Sequence, residues 1–440
     1  MAGRGLQLVS QENADQRHTA LPFPGPARGI VLWPLSNQVT SVLALLQALA
    51  QGLLPLLLPG SPSPARLSAL HERYPRFGLY RGAGIDWPAE PAEAAGQLYL
   101  GLLTSGSTGE PKAIVTSAAR LAAGIRAIHA AQQLEPVAST AALLPLAYSF
   151  ACVNQLLWAV LYRRQLVLPG SFADLAPCLA TLREQQIGML CLVNHQVRAL
   201  ATRLAQLAPL PSVSVVNFAG APFPAAQFDQ LRQLFPRARF YNNYGCAEAM
   251  PRLCCRQVLG ANEASGWVGH PIGDIALRVD EPGGGPILFR GSSTALGVLD
   301  TDGQLRPFPE WIASGDQGRI GPDGLEVLGR HDQVVKIGGE RLSLLEVEQA
   351  LLAAGALNAL VWLEATEPTE QVRVVVRFGQ QPDLAGLLSL LRTRLPRPLL
   401  PQTIYLTQQW RYTDNQKTDA VALRLLAQTG ELEQLWPVPP

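Results

Sequence analysis

Charge is scarce in this chain of 440 residues. Only 16% of its side chains are Asp, Glu, Lys or Arg, and 35 basic against 34 acidic groups leave a formal net charge of +1. So balanced a surface has neither the basic footprint that nucleic acid demands nor the polybasic patch that an anionic membrane selects. Long apolar runs are missing too. Hydrophobic residues make up 48% of the chain, yet no run reaches the roughly 20 residues of a membrane span. The nearest, from Leu53 to Pro59, is short and holds two prolines. The six cysteines, at positions 152, 178, 191, 246, 254 and 255, show no Cys-x-x-Cys spacing. Neither a zinc site nor a disulfide framework is indicated, and free thiols in a reducing cytoplasm are expected. Residues 1–28 are polar, lack the apolar stretch of a signal peptide, and read as a flexible N-terminus. What remains is long enough for two or three domains around a large core.

The most informative segment runs from Thr104 to Lys112. It holds Thr104, Ser105, Gly106, Ser107, Thr108 and Gly109, and closes with Glu110, Pro111 and Lys112. Glycines let a backbone approach a polyanion, hydroxyls donate to its oxygens, and lysine adds charge. Most Gly/Ser/Thr stretches are linkers. This one leaves an apolar, strand-like run (Leu98–Leu103) directly and ends on Glu-Pro-Lys rather than on more Gly/Ser. Two residues separate Gly109 from Lys112, so it is not the Gly-x-x-x-x-Gly-Lys-Ser/Thr loop of the common nucleotide hydrolases. It reads as a cradle for a triphosphate.

Strand-like and helical patterns alternate up to about residue 260. A strand at Gly29–Trp33 precedes a helix ending before Gly52. Ser63-Pro64 caps another, and a third follows near Ser117–Gln132. Helical stretches at Phe150–Leu161, Leu175–Gln185, Val197–Leu207 and Ala225–Leu234 alternate with strands near Ala141–Leu144, Leu166–Leu168, Met189–Val193, Val213–Phe218 and Arg239–Tyr241. That order implies helices packed on largely parallel sheets. Turn-rich antiparallel strands follow, and after Arg330 the pattern becomes that of a small α+β domain.

Four further clusters come in a fixed order after the loop. Phe218 to Pro222 (Phe-Ala-Gly-Ala-Pro) ends a buried strand and offers backbone to a flat ring. Asn242 to Glu248 supplies an aromatic ring and a carboxylate. Ser314-Gly315-Asp316 offers an acceptor for ribose hydroxyls. Gly329 to Arg341 mixes charges with glycines.

Together these motifs resemble those of the adenylate-forming ligases, the superfamily of acyl-CoA synthetases, adenylation domains and luciferases. The resemblance runs from about Gly29 to Leu425. It implies an α/β fold: a large N-terminal domain (29–331) of layered β/α subdomains with a distorted β-barrel portion, and a small, mobile α+β C-terminal domain (332–440). It also implies ATP and Mg²⁺. Thr104, Ser105, Gly106, Ser107, Thr108, Gly109 and Lys112 would cradle the phosphates, with Thr108 among the catalytic groups. Gly220, Ala221 and Pro222 would flank the adenine with Tyr244 packing on it, Asn243 and Gly245 would also bind the nucleotide, and Glu248 would hold Mg²⁺. Asp316 would bind the ribose with Arg330 nearby, and Asp332 would be the interdomain hinge. Thr413 to Lys417 matches the last motif, with Gln416 where glycine is usual, which makes Lys417 the catalytic lysine. The small domain would rotate between two steps, adenylation and thioester formation. Ala247 departs from the pattern, standing where the family usually has Thr or Ser, and the N-terminal subdomain is shorter than usual.

For the acid, the aligned pocket positions are Tyr148, Ser149, Phe150, Val153, Asn194, Val216, Phe218, Asn243 and Arg252. Adenylation domains for α-amino acids place Asp where Ser149 stands, and a buried ammonium without a carboxylate is costly. This argues against an amino acid and for a small aromatic, hydroxybenzoate-type acid, as in stand-alone ligases of aryl-polyene pathways. The acceptor would be the phosphopantetheine of an acyl carrier protein, or CoA, acting in trans. A degenerate, non-catalytic ATP- or acyl-binding module is the alternative from another class.

Overall fold

The computed structural model describes residues 7–10, 28–60, 62–105, 111–221, 223–260, 266–281, 284–330, 334–337, 340–366, 369–412 and 418–436. The chain divides into two compact units. The first comprises Met1–Arg278, Leu288–Ser314 and Gly321–Leu325; the second comprises Val279–Ile287, Gly315–Ile320 and Glu326–Pro440.

The first unit is built on two sheets. In one, strands Ile30–Leu35, Leu54–Pro59, Gly78–Tyr80 and Leu100–Ser105 run parallel, and Pro111–Thr116 returns antiparallel to the last of them. In the other, Ser139–Ala141, Gln165–Leu168, Met189–Leu192, Val215–Phe218 and Arg239–Tyr244 are parallel. Cys254–Val258 and Trp267–Pro271 then continue it antiparallel. The central strands of this second sheet are buried along their whole length, as expected where both faces are covered. One face packs on a core containing Ile125, Val153, Trp158, Cys191 and Val215. The other packs on Leu179, Leu190, Val216, Phe218 and Phe240 under helices Leu175–Glu184 and Phe228–Leu234. Of the turn-rich strands of residues 276–330, Ala276–Arg278, Gly285–Arg290, Ile312–Gly321 and Gly324–Arg330 belong to this second sheet, whereas Gly297–Leu299 and Leu305–Pro307 join the first beside Pro111–Thr116. Each sheet ends on separate edge strands, so the expected distorted barrel is not closed.

Local signals explain the helices. Ser63 accepts from the Arg66 amide with Pro64 in the first turn, and Ser117 accepts from the Arg120 amide, each satisfying a donor that the helix end leaves unpaired. Leu121, Gly124, Ile125 and Ile128 repeat at helical spacing and are the buried face of Ala118–Ala131. Residues 149–162 form one continuous helical stretch whose middle, Cys152–Leu157, is π-helical.

In the second unit, strands Asn358–Thr366, Thr369–Arg377, Thr403–Leu406 and Glu433–Trp436 form a mixed sheet. Val347, Leu351, Val374, Leu391 and Ile404 form its core with helices Leu344–Ala353 and Leu384–Arg394. Val334–Ile337 and Glu340–Ser343 make a separate two-stranded ribbon.

Several elements differ from the sequence expectation. Residues 7–10, expected to be part of a flexible terminus, are an edge strand parallel to Gln165–Leu168. The strand Pro111–Thr116 and the helix Ala420–Gln428 were not anticipated. The helix expected over Val197–Leu207 instead runs Asn194–Ala201, followed by a short 3₁₀ turn. Among the described residues no helix is long and apolar enough to cross a membrane.

Candidate active site

Four parallel strands of the first unit end at one edge, and the expected site residues follow them directly. Tyr148 and Ser149 come after Ser139–Ala141, and Asn194 after Met189–Leu192. Gly220 and Ala221 come after Val215–Phe218, and Tyr244, Gly245 and Glu248 close Arg239–Tyr244 or follow it. In open α/β sheets this carboxyl edge is where ligands bind.

The segment expected to cradle the phosphates joins two paired strands, Leu100–Ser105 and Pro111–Thr116. Thr104 stands opposite Lys112, and Ser105 opposite Pro111, in antiparallel register. Lys112 is exposed. Gly106, Ser107, Thr108 and Gly109 lie outside the described residues, as do Pro222, Asp332 and Lys417, and the Ser105 side chain is not described.

Gly220 has φ +84° with open space where a Cβ would be, and Ala221 is exposed, so this stretch leaves an open floor. Across it on the next strand, the Tyr244 hydroxyl donates to Ser314 Oγ at 3.1 Å. A side chain at Gly245 would strike the Pro251 carbonyl oxygen at 1.8 Å, which is why only glycine fits there. The Glu248 carbonyl accepts from the Ala295 amide at 2.8 Å, which fixes its backbone. Its carboxylate is half-buried and makes no hydrogen bond or ion pair with a described residue. No group of three or more metal-ligating side chains occurs among the described residues. One free carboxylate suits Mg²⁺, which takes one or two protein oxygens and completes its shell with phosphates and water. In the second unit, Arg330 Nη1 lies 3.7 Å from Asp316 Oδ1.

The Tyr148 loop is held from two sides. Asn37 Nδ2 donates to the Leu144 carbonyl at 2.8 Å, and Asn37 Oδ1 accepts from the Leu146 amide at 2.9 Å. Gln196 Nε2 donates to the Leu143 carbonyl at 2.9 Å. Behind this loop lies a buried polar network. Arg252, 3% exposed, donates through Nη1 to Asn243 Oδ1, and through Nη2 to Asn154 Oδ1 at 2.7 Å. Its guanidinium lies 5.8 Å from the centre of the half-buried Phe150 ring. Gln132 Nε2 donates to Asn217 Oδ1 at 2.7 Å and Asn243 Oδ1 at 3.0 Å, and Asn243 Nδ2 donates to Asn217 Oδ1 at 3.0 Å. Burial pulls the Arg252 guanidinium below the usual arginine range, while the Cys255 and Cys191 thiols oppose that shift. Arginine nevertheless stays charged in proteins.

The structure thus brings Phe150, Asn243 and Arg252 together, with Val153 in the same core. It does not bring Val216 and Phe218 there. Both belong to the core on the opposite face, where Phe218 packs edge-on against Phe223 at 5.0 Å. Side chains alternate along a strand, so Asn217 is the residue of that strand that reaches the network. Asn194 opens the helix Asn194–Ala201. Sequence reading missed Asn37, Gln132, Asn154, Gln196 and Asn217. For Asn217 the period-two alternation was an available signal; for the rest, long-range folding decides.

A family profile described as AMP-binding enzyme matches residues 39–299, more than half of the 440-residue chain. The protein belongs to this family of adenylate-forming enzymes. Tyrocidine synthase 3 of Brevibacillus parabrevis is 27% identical over 358 residues, 76% of this chain but 5% of that synthase. The L-proline–L-prolyl-carrier-protein ligase of Pseudomonas fluorescens is 27% identical over 345 residues, 73% of this chain and 67% of the relative. The fold is shared with the O-succinylbenzoate coenzyme A synthetase of Bacillus subtilis solved with ATP and magnesium. The TM-score is 0.73, and 90% of this chain and 88% of that one superpose at 18% identity.

Proposed function

We propose that this protein is an AMP-forming acid–thiol ligase of the cytoplasm. It activates a small carboxylic acid with ATP and passes the acyl group to the phosphopantetheine thiol of an acyl carrier protein. The observation that carries this reading is the match of residues 39–299 to AMP-binding enzymes, a span that includes the loops on the carboxyl edge of the second sheet.

The chemistry has two steps. An oxygen of the acid attacks the α-phosphorus of ATP; an acyl–phosphate bond forms and pyrophosphate leaves. The thiol sulfur then attacks the acyl carbon, and AMP leaves as the thioester forms. Residues 104–112 hold the phosphates; Gly220, Ala221 and Tyr244 flank the adenine; Asp316, with Arg330, holds the ribose. Glu248 would hold Mg²⁺, which would supply neutralising charge at the phosphates. Lys417 donates to the oxygens on which charge grows in the first transition state. Asp332 is the hinge between domains 29–331 and 332–440. Ala247 leaves the site one hydroxyl short.

The acid is small and aromatic, of hydroxybenzoate type. Phe150 and Val153 give the pocket apolar walls, whereas Asn243 and Arg252 give it polar ones. An α-amino acid is disfavoured because Ser149 replaces the ammonium's usual carboxylate partner and the nearest buried charge is a cation. Ala247 also favours a second reading, a degenerate module that binds ATP without turnover. Pyrophosphate release with Mg·ATP across aryl, fatty and amino acids decides between them. Release with an aryl acid, followed by AMP on adding carrier protein, is expected. ATP binding with no release from any acid would favour the module, and ADP as product would point to phosphoryl transfer instead. Free CoA in place of carrier protein identifies the acceptor.

A further inference from the structure

Arg252 is a buried cation without a counter-ion among the described residues. Its partners are the amide oxygens of Asn154 and Asn243, the face of Phe150 and the Cys255 thiol. Among the described residues no carboxylate pairs with it. Buried charges in proteins are ordinarily paired, and leaving one unpaired costs several kcal/mol. Two more polar atoms beside it are also unsatisfied: Asn217 Nδ2 and Gln132 Oε1 are buried with no partner among the described residues. Asn154 is held in place because its Nδ2 donates to the Phe150 carbonyl at 2.6 Å, so its oxygen faces the guanidinium. The network begins at Asn243, one residue inward from Tyr244 along the same strand, and its outer wall is the half-buried Phe150.

We infer that the acid this protein activates carries a second oxygen anion, a carboxylate or an ionised ring hydroxyl, which pairs with Arg252 at the inner end of the acid site. The inference rests on the ligase reading above and narrows it. A ligand anion would complete the pairing that the free protein lacks, whereas an acid ending in hydrogen or an ammonium would leave the guanidinium unpaired or repelled. A charge-assisted hydrogen bond contributes about 1.5–3 kcal/mol, which corresponds to roughly 10- to 100-fold in affinity.

The test compares benzoate, 4-hydroxybenzoate and terephthalate by thermal shift and by pyrophosphate release, in the native protein and in Asn154→Asp. That substitution places a carboxylate beside Arg252 at nearly constant shape and pairs the cation; it gives up the Nδ2 donation to the Phe150 carbonyl, a smaller folding risk than Arg252→Gln. In the native protein one or both para-oxygen acids should raise Tm more than benzoate and show a KM lower by about 10- to 100-fold. Which of the two does so identifies the oxygen. In Asn154→Asp the advantage should vanish, with benzoate within about twofold of the others. Equal shifts for all three acids in the native protein, or an unchanged ranking in Asn154→Asp, would overturn the inference. A preserved ranking of thermal shifts with no pyrophosphate from any acid would instead sink the ligase reading and leave the Arg252 pairing standing.

Discussion

Gly245 shows how a single residue type is dictated by contact. A Cβ there would lie 1.8 Å from the Pro251 carbonyl oxygen and 3.0 Å from Arg252 Cα, so backbone, not a yielding side chain, stands in the way. Gly245→Ala should lose about 1–3 kcal/mol, the cost of forcing atoms into a packed site, and should displace Arg252. Urea unfolding measures it; stability within about 0.5 kcal/mol of native would mean that this turn relaxes freely. The cysteines carry a second prediction at this scale. Burial pushes the Cys152 and Cys191 thiols up to about 12, so both stay protonated near neutral pH, and only a thiolate is a good nucleophile. Cys246 is partly exposed. Limited alkylation of the native protein at pH 8, read by mass spectrometry, should label Cys246 and spare Cys152 and Cys191. Early labelling of either buried thiol would contradict the packing described.

At the scale of elements, the decisive rule is the two-residue period of a strand. Val215–Phe218 sends Val216 and Phe218 to one core and Asn217 to the other side, where Gln132 and Asn243 meet it. Phe218→Ala should therefore cost about 3–5 kcal/mol of stability while the ranking of acid substrates stays native. Asn217→Leu removes the two hydrogen bonds that hold Gln132 and Asn243 and should raise the KM for the acid about tenfold, with kcat for saturating acid little changed. The reverse assignment, with Phe218 controlling the acid, would restore the pocket aligned from sequence. Most strands and helices could be read in the chain because both carry local signals: Ser63-Pro64 and Ser117 at helix starts, and unbroken apolar runs at Met189–Leu192. The strand Pro111–Thr116 could not, since Pro111 and Lys112 look like the tail of a loop. Its pairing with Leu100–Ser105, and the burial of Ala113, Ile114 and Val115, come from tertiary contact. The polar network was hidden for the same reason. Gln132, Asn154 and Asn217 are far apart in sequence, and each alone looks like an ordinary amide.

At the scale of the whole molecule, two proposed roles separate the two half-reactions. Lys417 is assigned to adenylation and Asp332 to the change of arrangement that follows it. Lys417→Ala should slow adenylation by about 10²–10³-fold, the usual effect of removing one donor to a transition-state oxygen, while a pre-made acyl-adenylate is still transferred to the thiol at near-native rate. Asp332→Pro fixes φ near −65° and should have the opposite signature, with pyrophosphate release retained and thioester formation slowed. Hinge positions are those that absorb large backbone changes, so restricting one should weigh on the step that needs the change. Both half-reactions can be followed separately, the first by pyrophosphate and the second by AMP released from synthetic acyl-adenylate. Equal loss in both steps for Lys417→Ala would show that the lysine holds the protein together or binds adenylate in general. For Asp332→Pro, a larger loss in adenylation than in thioester formation would remove residue 332 as the hinge and leave the boundary between residues 331 and 332 without a role in the cycle.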